Sequence, residues 1–149
     1  RRGGHVFSCF AGQRGRRVVV LEGSNKIGKK ILMSGGGRCN FTNLYCEPEN
    51  FLSANPPFCI SALRRYTQWD FVALVEKHGI PYHEKTRGQR FCDRSSNDIV
   101  AMLRAEWDEA GVDSLVDCEI QGVAADAGNT VTTSLGTFTA PSLVVDTDG

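Results

Sequence analysis

Ser34-Gly35-Gly36-Gly37-Arg38 is the stretch of this chain best equipped to hold an anion. Three successive glycines leave backbone N–H groups open to a ligand, because no Cβ stands in front of them. Ser34 adds a hydroxyl, and Arg38 adds a planar, forked cation matched to phosphate. Lys29 and Lys30 stand just upstream. A bare Gly-Gly-Gly also suits a flexible surface loop, but the flanking Lys29, Lys30, Ser34 and Arg38 favour an anion or cofactor loop. Glu22 is the second candidate. It ends the apolar run Val18-Val19-Val20-Leu21 and lies eighteen residues after Gly4. In a dinucleotide-binding βαβ unit an acidic residue at that spacing accepts hydrogen bonds from the adenosine ribose.

Other titratable residues read as structural. His83 and Glu84 are neighbours on an expected strand, so their side chains point to opposite faces. His78 falls at an expected helix end. Cys9, Cys39, Cys46, Cys59, Cys92 and Cys118 form no Cys-x-x-Cys pair, so no metal site is expected and reduced thiols are. A redox pair of Cys39 and Cys46 has nothing else in the sequence to support it. No catalytic residue can be named.

The elements that must position these groups follow from the pattern. Val6, Phe7, Cys9 and Phe10 suggest a buried helix after Gly3 and Gly4, and Arg14 to Arg17 a turn. Val18–Leu21 is continuously apolar, as in a strand covered on both faces. Residues 23–55 read as mostly loop. A helix is expected from Pro56 to Tyr66, with Phe58, Leu63 and Tyr66 as its apolar face. Thr67 with Asp70 forms a capping box, followed by Phe71, Leu74, Val75 and His78 at helical spacing and Gly79 as the stop. Ile80 to Asp93 reads as two short strands around Thr86-Arg87-Gly88, with Arg87 and Arg90 where apolar residues are expected. Ser95 and Ser96 offer caps for a helix over about 97–110, and Trp107 reads as core. Leu115–Ala124, Thr130–Ser134, Thr137–Thr139 and Ser142–Thr147 read as strands, with turns at Ala127-Gly128-Asn129 and Leu135-Gly136.

The chain has 149 residues, 41% hydrophobic and 23% charged, with 17 basic and 17 acidic residues. That balance suits a globular domain and argues against a nucleic-acid protein recognised by bulk charge, such as one using Arg1, Arg2, Arg14, Arg16 and Arg17. No stretch approaches a membrane span or a signal peptide, so a cytoplasmic protein with no membrane or nucleic-acid partner is expected.

Residues 28–43, Gly-Lys-Lys-Ile-Leu-Met-Ser-Gly-Gly-Gly-Arg-Cys-Asn-Phe-Thr-Asn, closely resemble the signature of a bacterial family of NAD(P)/FAD-dependent oxidoreductases that includes BaiN-type flavoproteins and aminoacetone oxidases. The resemblance continues through Leu52–Pro56, Trp69–Phe71, His78–Thr86 and Phe91–Asp93. It implies an α/β fold: a partial Rossmann-like FAD-binding domain over 1–149, with a helical insertion over 56–111 and a β-meander. It implies an FAD-dependent oxidoreductase, with a small-molecule substrate and NAD(P)H as a possible electron donor. The cofactor residues it implies are Gly4, Glu22, Lys30, Ser34, Gly35, Gly36, Gly37, Arg38, Val123, Thr147 and Gly149. It also implies that this chain is part of a longer protein and lacks the family's first strand. Gly4 takes the third position of Gly-x-Gly-x-x-Gly, and Arg1 falls on the second. The family's closing Ala-Thr-Gly-Gly is matched by Asp146-Thr147-Asp148-Gly149, which sets two carboxylates where the pyrophosphate is expected. Like charge there disfavours binding. The alternative is therefore a non-catalytic, truncated remnant that does not hold FAD.

Overall fold

The structure, a computed structural model, describes residues 3–125 and 128–146. In chain order the helices are α1 (Gly3–Gln13), α2 (Lys29–Met33), α3 (Ile60–Arg65), α4 (Gln68–Lys77) and α5 (Asn97–Glu109). The strands are β1 (Val18–Leu21), β2 (Asn40–Asn43), β3 (Tyr82–Glu84), β4 (Gln89–Cys92), β5 (Val112–Leu115), β6 (Ile120–Ala125), β7 (Asn129–Thr133) and β8 (Gly136–Ala140). The chain divides into two compact units, one of Arg1–Lys30 with Leu103–Gly149 and one of Ile31–Met102.

In the first unit β1 and β5 pair in parallel, from Val18 opposite Val112 to Leu21 opposite Leu115. Cys9, Ile27, Trp107 and Val112 form the core, with Val18, Val20, Ala110 and Val116 packed against it. β1 is not covered on both faces: Val19 is 43% exposed. Alternation along a strand sends Val18 and Val20 to the core and Val19 away from it. α1 is likewise buried on one side only, with Ser8 and Cys9 inside and Phe7 and Phe10 outside. α1 lies so close to Ala110 that a Cβ on Gly12 would come within 2.5 Å of its carbonyl oxygen.

The expected strand Leu115–Ala124 is two strands, because Asp117 adopts a left-handed φ of 52°. Asp117 and Cys118 instead donate their amides to Ser24 and Glu22. β6, β7 and β8 form the antiparallel meander. Residues 142–146 do not form the expected strand, since they pair with no strand among the described residues; Val144 and Val145 are exposed. Ala127 of one expected turn lies outside the described residues.

The second unit holds an antiparallel sheet in the order β2-β4-β3. β2 lies inside the segment expected to be mostly loop. It is fixed by Phe41, which is buried and meets Tyr82 edge-on at 5.4 Å and Phe71 of α4 at 6.0 Å. Arg90 stands in the hairpin with its Nε buried and without a hydrogen-bond partner among the described residues. Its guanidinium lies over the Tyr82 ring and pairs with Glu84 at 3.2 Å. The Pro56–Tyr66 helix opens as a 3-10 turn, Pro56–Cys59, before α3 begins. The tighter winding takes Phe58 off the intended face and leaves it 82% exposed.

α4 begins as the sequence indicates. The Thr67 hydroxyl accepts from the Asp70 amide, and the Asp70 carboxylate accepts from the Thr67 amide and hydroxyl. These bonds hold the Asp70 carboxyl below its ordinary range. Their contribution is therefore present above the unfolded carboxyl's pKa and lost as pH falls through the lower folded value. Thr67→Ala is expected to cost about 1 kcal/mol. A shift of the urea midpoint at neutral pH that shrinks in acid checks this; an unchanged midpoint would contradict it.

Candidate functional site

The Gly-Gly-Gly segment is a built turn. Ser34 follows α2 and its hydroxyl donates to the Ile31 carbonyl at 2.8 Å. That proton is committed, so Ser34 can accept a hydrogen bond from a ligand but is not placed to donate one. Gly35, Gly36 and Gly37 all have left-handed φ, at 59°, 64° and 85°. The Arg38 and Cys39 amides close the turn on the Gly35 and Ser34 carbonyls. Those two N–H groups are therefore not available to an anion.

The turn is tied down from outside. Cys92 N donates to Arg38 O, Ser96 N to Gly37 O, and Ser96 Oγ to Leu32 O. Ser96, read from the sequence only as a helix cap, is buried beneath the turn and anchors it; Ser95 caps α5 through the Asn97 amide. The glycines differ in kind. A Cβ on Gly35 would lie 2.7 Å from Asn40 N and 2.8 Å from Phe91 Cε1, whereas one on Gly36 or Gly37 would meet nothing within 4 Å. Gly35 serves packing, and Gly36 and Gly37 leave an open backbone face. Arg38 beside them is exposed, as is Lys30 on α2.

In the first unit, two other expected residues flank one histidine. The Gly4 amide, at the start of α1, donates to Asp146 Oδ2 at 3.0 Å. The next residue, His5, packs its ring on Trp107 at 5.1 Å and accepts the Trp107 indole N–H on its carbonyl at 2.9 Å. Burial pushes the His5 imidazole pKa down, and the carboxylates of Asp146 and Glu22 pull it back up. Glu22 follows β1 directly, its amide bonded to Leu115 O. Its Oε1 accepts both the Ser24 amide and hydroxyl at 2.8 Å, while Oε2 takes no partner among the described residues. The carboxylate is thus oriented with one oxygen in reserve. Val123 sits on β6 with its side chain 55% exposed. Thr147 and Gly149 lie outside the described residues.

The remaining candidates have structural surroundings. His78 is the C-cap of α4. His83 and Glu84 do not face each other: His83 Nδ1 pairs with Asp93 at 2.7 Å, and Glu84 with Arg90. All six cysteines are free thiols, and burial pushes the Cys9 thiol up to about 11. Among the described residues no group of His, Cys, Asp and Glu is placed to hold a metal ion. Nor is any helix long and apolar enough to cross a membrane.

The helix–strand pair α1–β1, the parallel β1–β5 pairing and an acidic residue directly after β1 are the ingredients of a Rossmann half. Residues 3–149 match the family described as the HI0933-like protein Rossmann domain. The chain belongs to that family. It is 52% identical over 147 residues to a ribosomal RNA dihydrouridine synthase of Escherichia coli (strain K12), covering 98% of this chain and 37% of that protein. It is 53% identical over 109 residues to a protein of the same name from Haemophilus influenzae, covering 73% and 27%. A more distant relative, 29% identical over 92 residues, is a 3-dehydro-bile acid delta(4,6)-reductase of Clostridium scindens, with 60% and 22% covered. The chain thus spans well under half the length of these relatives. A solved structure of NikD, described as an unusual amino acid oxidase essential for nikkomycin biosynthesis, matches at a TM-score of 0.52 and 18% identity over 93% of this chain and 47% of that one. This likeness bears on the fold alone, and it agrees with the α/β Rossmann-like class read from the sequence.

Proposed function

We propose that this Rossmann domain holds FAD for a longer oxidoreductase that reduces a carbon–carbon double bond. The observation that carries the cofactor reading is Glu22: it follows β1 directly, is clamped through Oε1, and keeps Oε2 for a ribose hydroxyl. In the second unit, Gly36, Gly37 and Arg38 by themselves suit an anionic group, since the outer face of their turn lacks side chains. Ser34 there acts as an acceptor and Gly35 as packing. Lys30, Val123 and, outside the described residues, Thr147 and Gly149 are the further cofactor contacts that the family resemblance implies. The fit is good at the ribose and poor at the start of α1, where Asp146 already holds the Gly4 amide. That contact also favours the second reading, a remnant that does not retain FAD. In the proposed protein, 56–111 is an insertion in the FAD-binding portion 1–149.

The relatives' names narrow the chemistry. Making dihydrouridine from uridine, and reducing a Δ4,6 unsaturated ring, both add two hydrogens across a double bond. Bound FAD would supply such a two-electron transfer, with NAD(P)H as its source of electrons. On this reading a uridine in ribosomal RNA is the favoured substrate of the whole protein. A neutral net charge does not conflict with that, because an RNA-contacting surface can lie on the rest of a longer chain.

Glu22→Ala is expected to weaken FAD and adenosine binding about tenfold, the usual scale for losing a hydrogen bond to a charged group. Binding of FMN, which lacks the adenosine, should not change. Fluorescence titration checks both. Equal FAD affinity in parent and variant would remove Glu22 from the site.

A further inference from the structure

We propose that the Asp146 carboxylate is an internal competitor for the dinucleotide pyrophosphate at the start of α1; this rests on the FAD reading above. The first amides of a helix lack intrahelical partners and carry partial positive charge, which suits phosphate. α1 has eleven residues and no acidic residue of its own in its first turn. Its Gly4 amide is nevertheless taken, by Asp146 Oδ2 at 3.0 Å and from 142 positions along the chain. The contact is close: a Cβ on Gly4 would fall 2.4 Å from the same oxygen. The carboxylate therefore stands directly over the bare Cα, the space a pyrophosphate needs for its own approach.

Two features make this a competition rather than a permanent block. The start of α1 is held independently of Asp146, by the Trp107 indole on His5 O and the Ser8 hydroxyl on Gly4 O. The donor thus keeps its place when the carboxylate leaves. Asp146 itself ends an exposed stretch, residues 142–146, that belongs to no helix or strand. Among the described residues, swinging it away breaks no sheet pairing. The carboxylates of Glu22 and Asp146 both pull the pKa of His5, the residue next to Gly4, upward. A bound dinucleotide would keep Glu22 and replace Asp146.

The test is to titrate the parent chain, Asp146→Ala and Asp146→Asn with FAD, ADP and adenosine, after circular dichroism shows each is folded. Both variants are expected to bind FAD and ADP about tenfold tighter, because the charge-assisted contact with the Gly4 amide no longer has to be broken. Adenosine, which has no phosphate, should bind all three alike. The Asn variant keeps the side chain's size, so it reads charge even where Ala unfolds the segment. FAD binding that is equal in parent and variants overturns the competition and leaves the FAD reading standing. Tighter adenosine binding also overturns it, since the gain would not lie at the phosphate. No binding of any ligand to folded protein overturns the FAD reading, and the competition with it.

Discussion

Trp107→Ala is expected to destabilise the first unit by about 4 kcal/mol, the usual range for truncating a buried aromatic side chain. Trp107 is 2% exposed and shares the core with Cys9, Ile27 and Val112. Its indole N–H also satisfies the His5 carbonyl at 2.9 Å, and its ring meets the His5 ring. Removing it opens a cavity and releases the first turn of α1. Trp107→Phe keeps most of the packing and loses the hydrogen bond, so a cost of about 1–2 kcal/mol is expected from that change alone. Urea denaturation followed by far-ultraviolet circular dichroism measures both. If the two variants lose the same stability, the hydrogen bond and not the packing holds α1, contrary to this account. The Ala variant should also weaken any ligand that uses the Gly4 amide, which links core packing to the site.

Gly35→Ala is expected to cost about 3 kcal/mol, from a left-handed φ that disfavours any Cβ together with overpacking. The new methyl would press on Asn40 N, which is backbone, and on the Phe91 ring. Phe91 stacks with His83 at 6.2 Å and has Lys85 over its face, so it has little room to yield. Gly36→Ala is the control. It carries the conformational cost alone, about 1 kcal/mol, because nothing lies within 4 Å of its Cβ. Equal losses for the two would mean the turn's stability does not depend on its contact with β4. On the cofactor reading their effects are reversed: Gly36→Ala leaves the fold nearly intact but places a methyl on the open face.

What the sequence disclosed follows physical range. The Thr67–Asp70 box, the Gly79 stop, the β3–β4 hairpin and the Val18–Leu21 strand are specified by residues within a few positions of one another. β2 was not legible. Asn40-Phe41-Thr42-Asn43 has two asparagines, a weak strand former, and its partner β4 is distant in sequence. Ser96 reads locally as a cap, and its bonds to Leu32 and Gly37 are not legible because both lie far upstream. The exposed faces of α1 and β1 escaped notice because apolar composition alone does not say how many sides an element buries. The glycine turn and Glu22 stand out in the sequence as candidates. The sequence does not show that the Ser34 proton and the Arg38 and Cys39 amides are spent inside the turn. The aspartate at 146 was recognised as a charge near the expected pyrophosphate, but its bond to the Gly4 amide is visible only in three dimensions.

Whether this domain holds FAD is read from the absorbance spectrum of the purified chain after incubation with FAD and desalting. Retained flavin bands, shifted from those of free FAD, are expected, with a larger retained fraction for Asp146→Ala. A folded chain that emerges flavin-free, in parent and in variant alike, would contradict FAD binding.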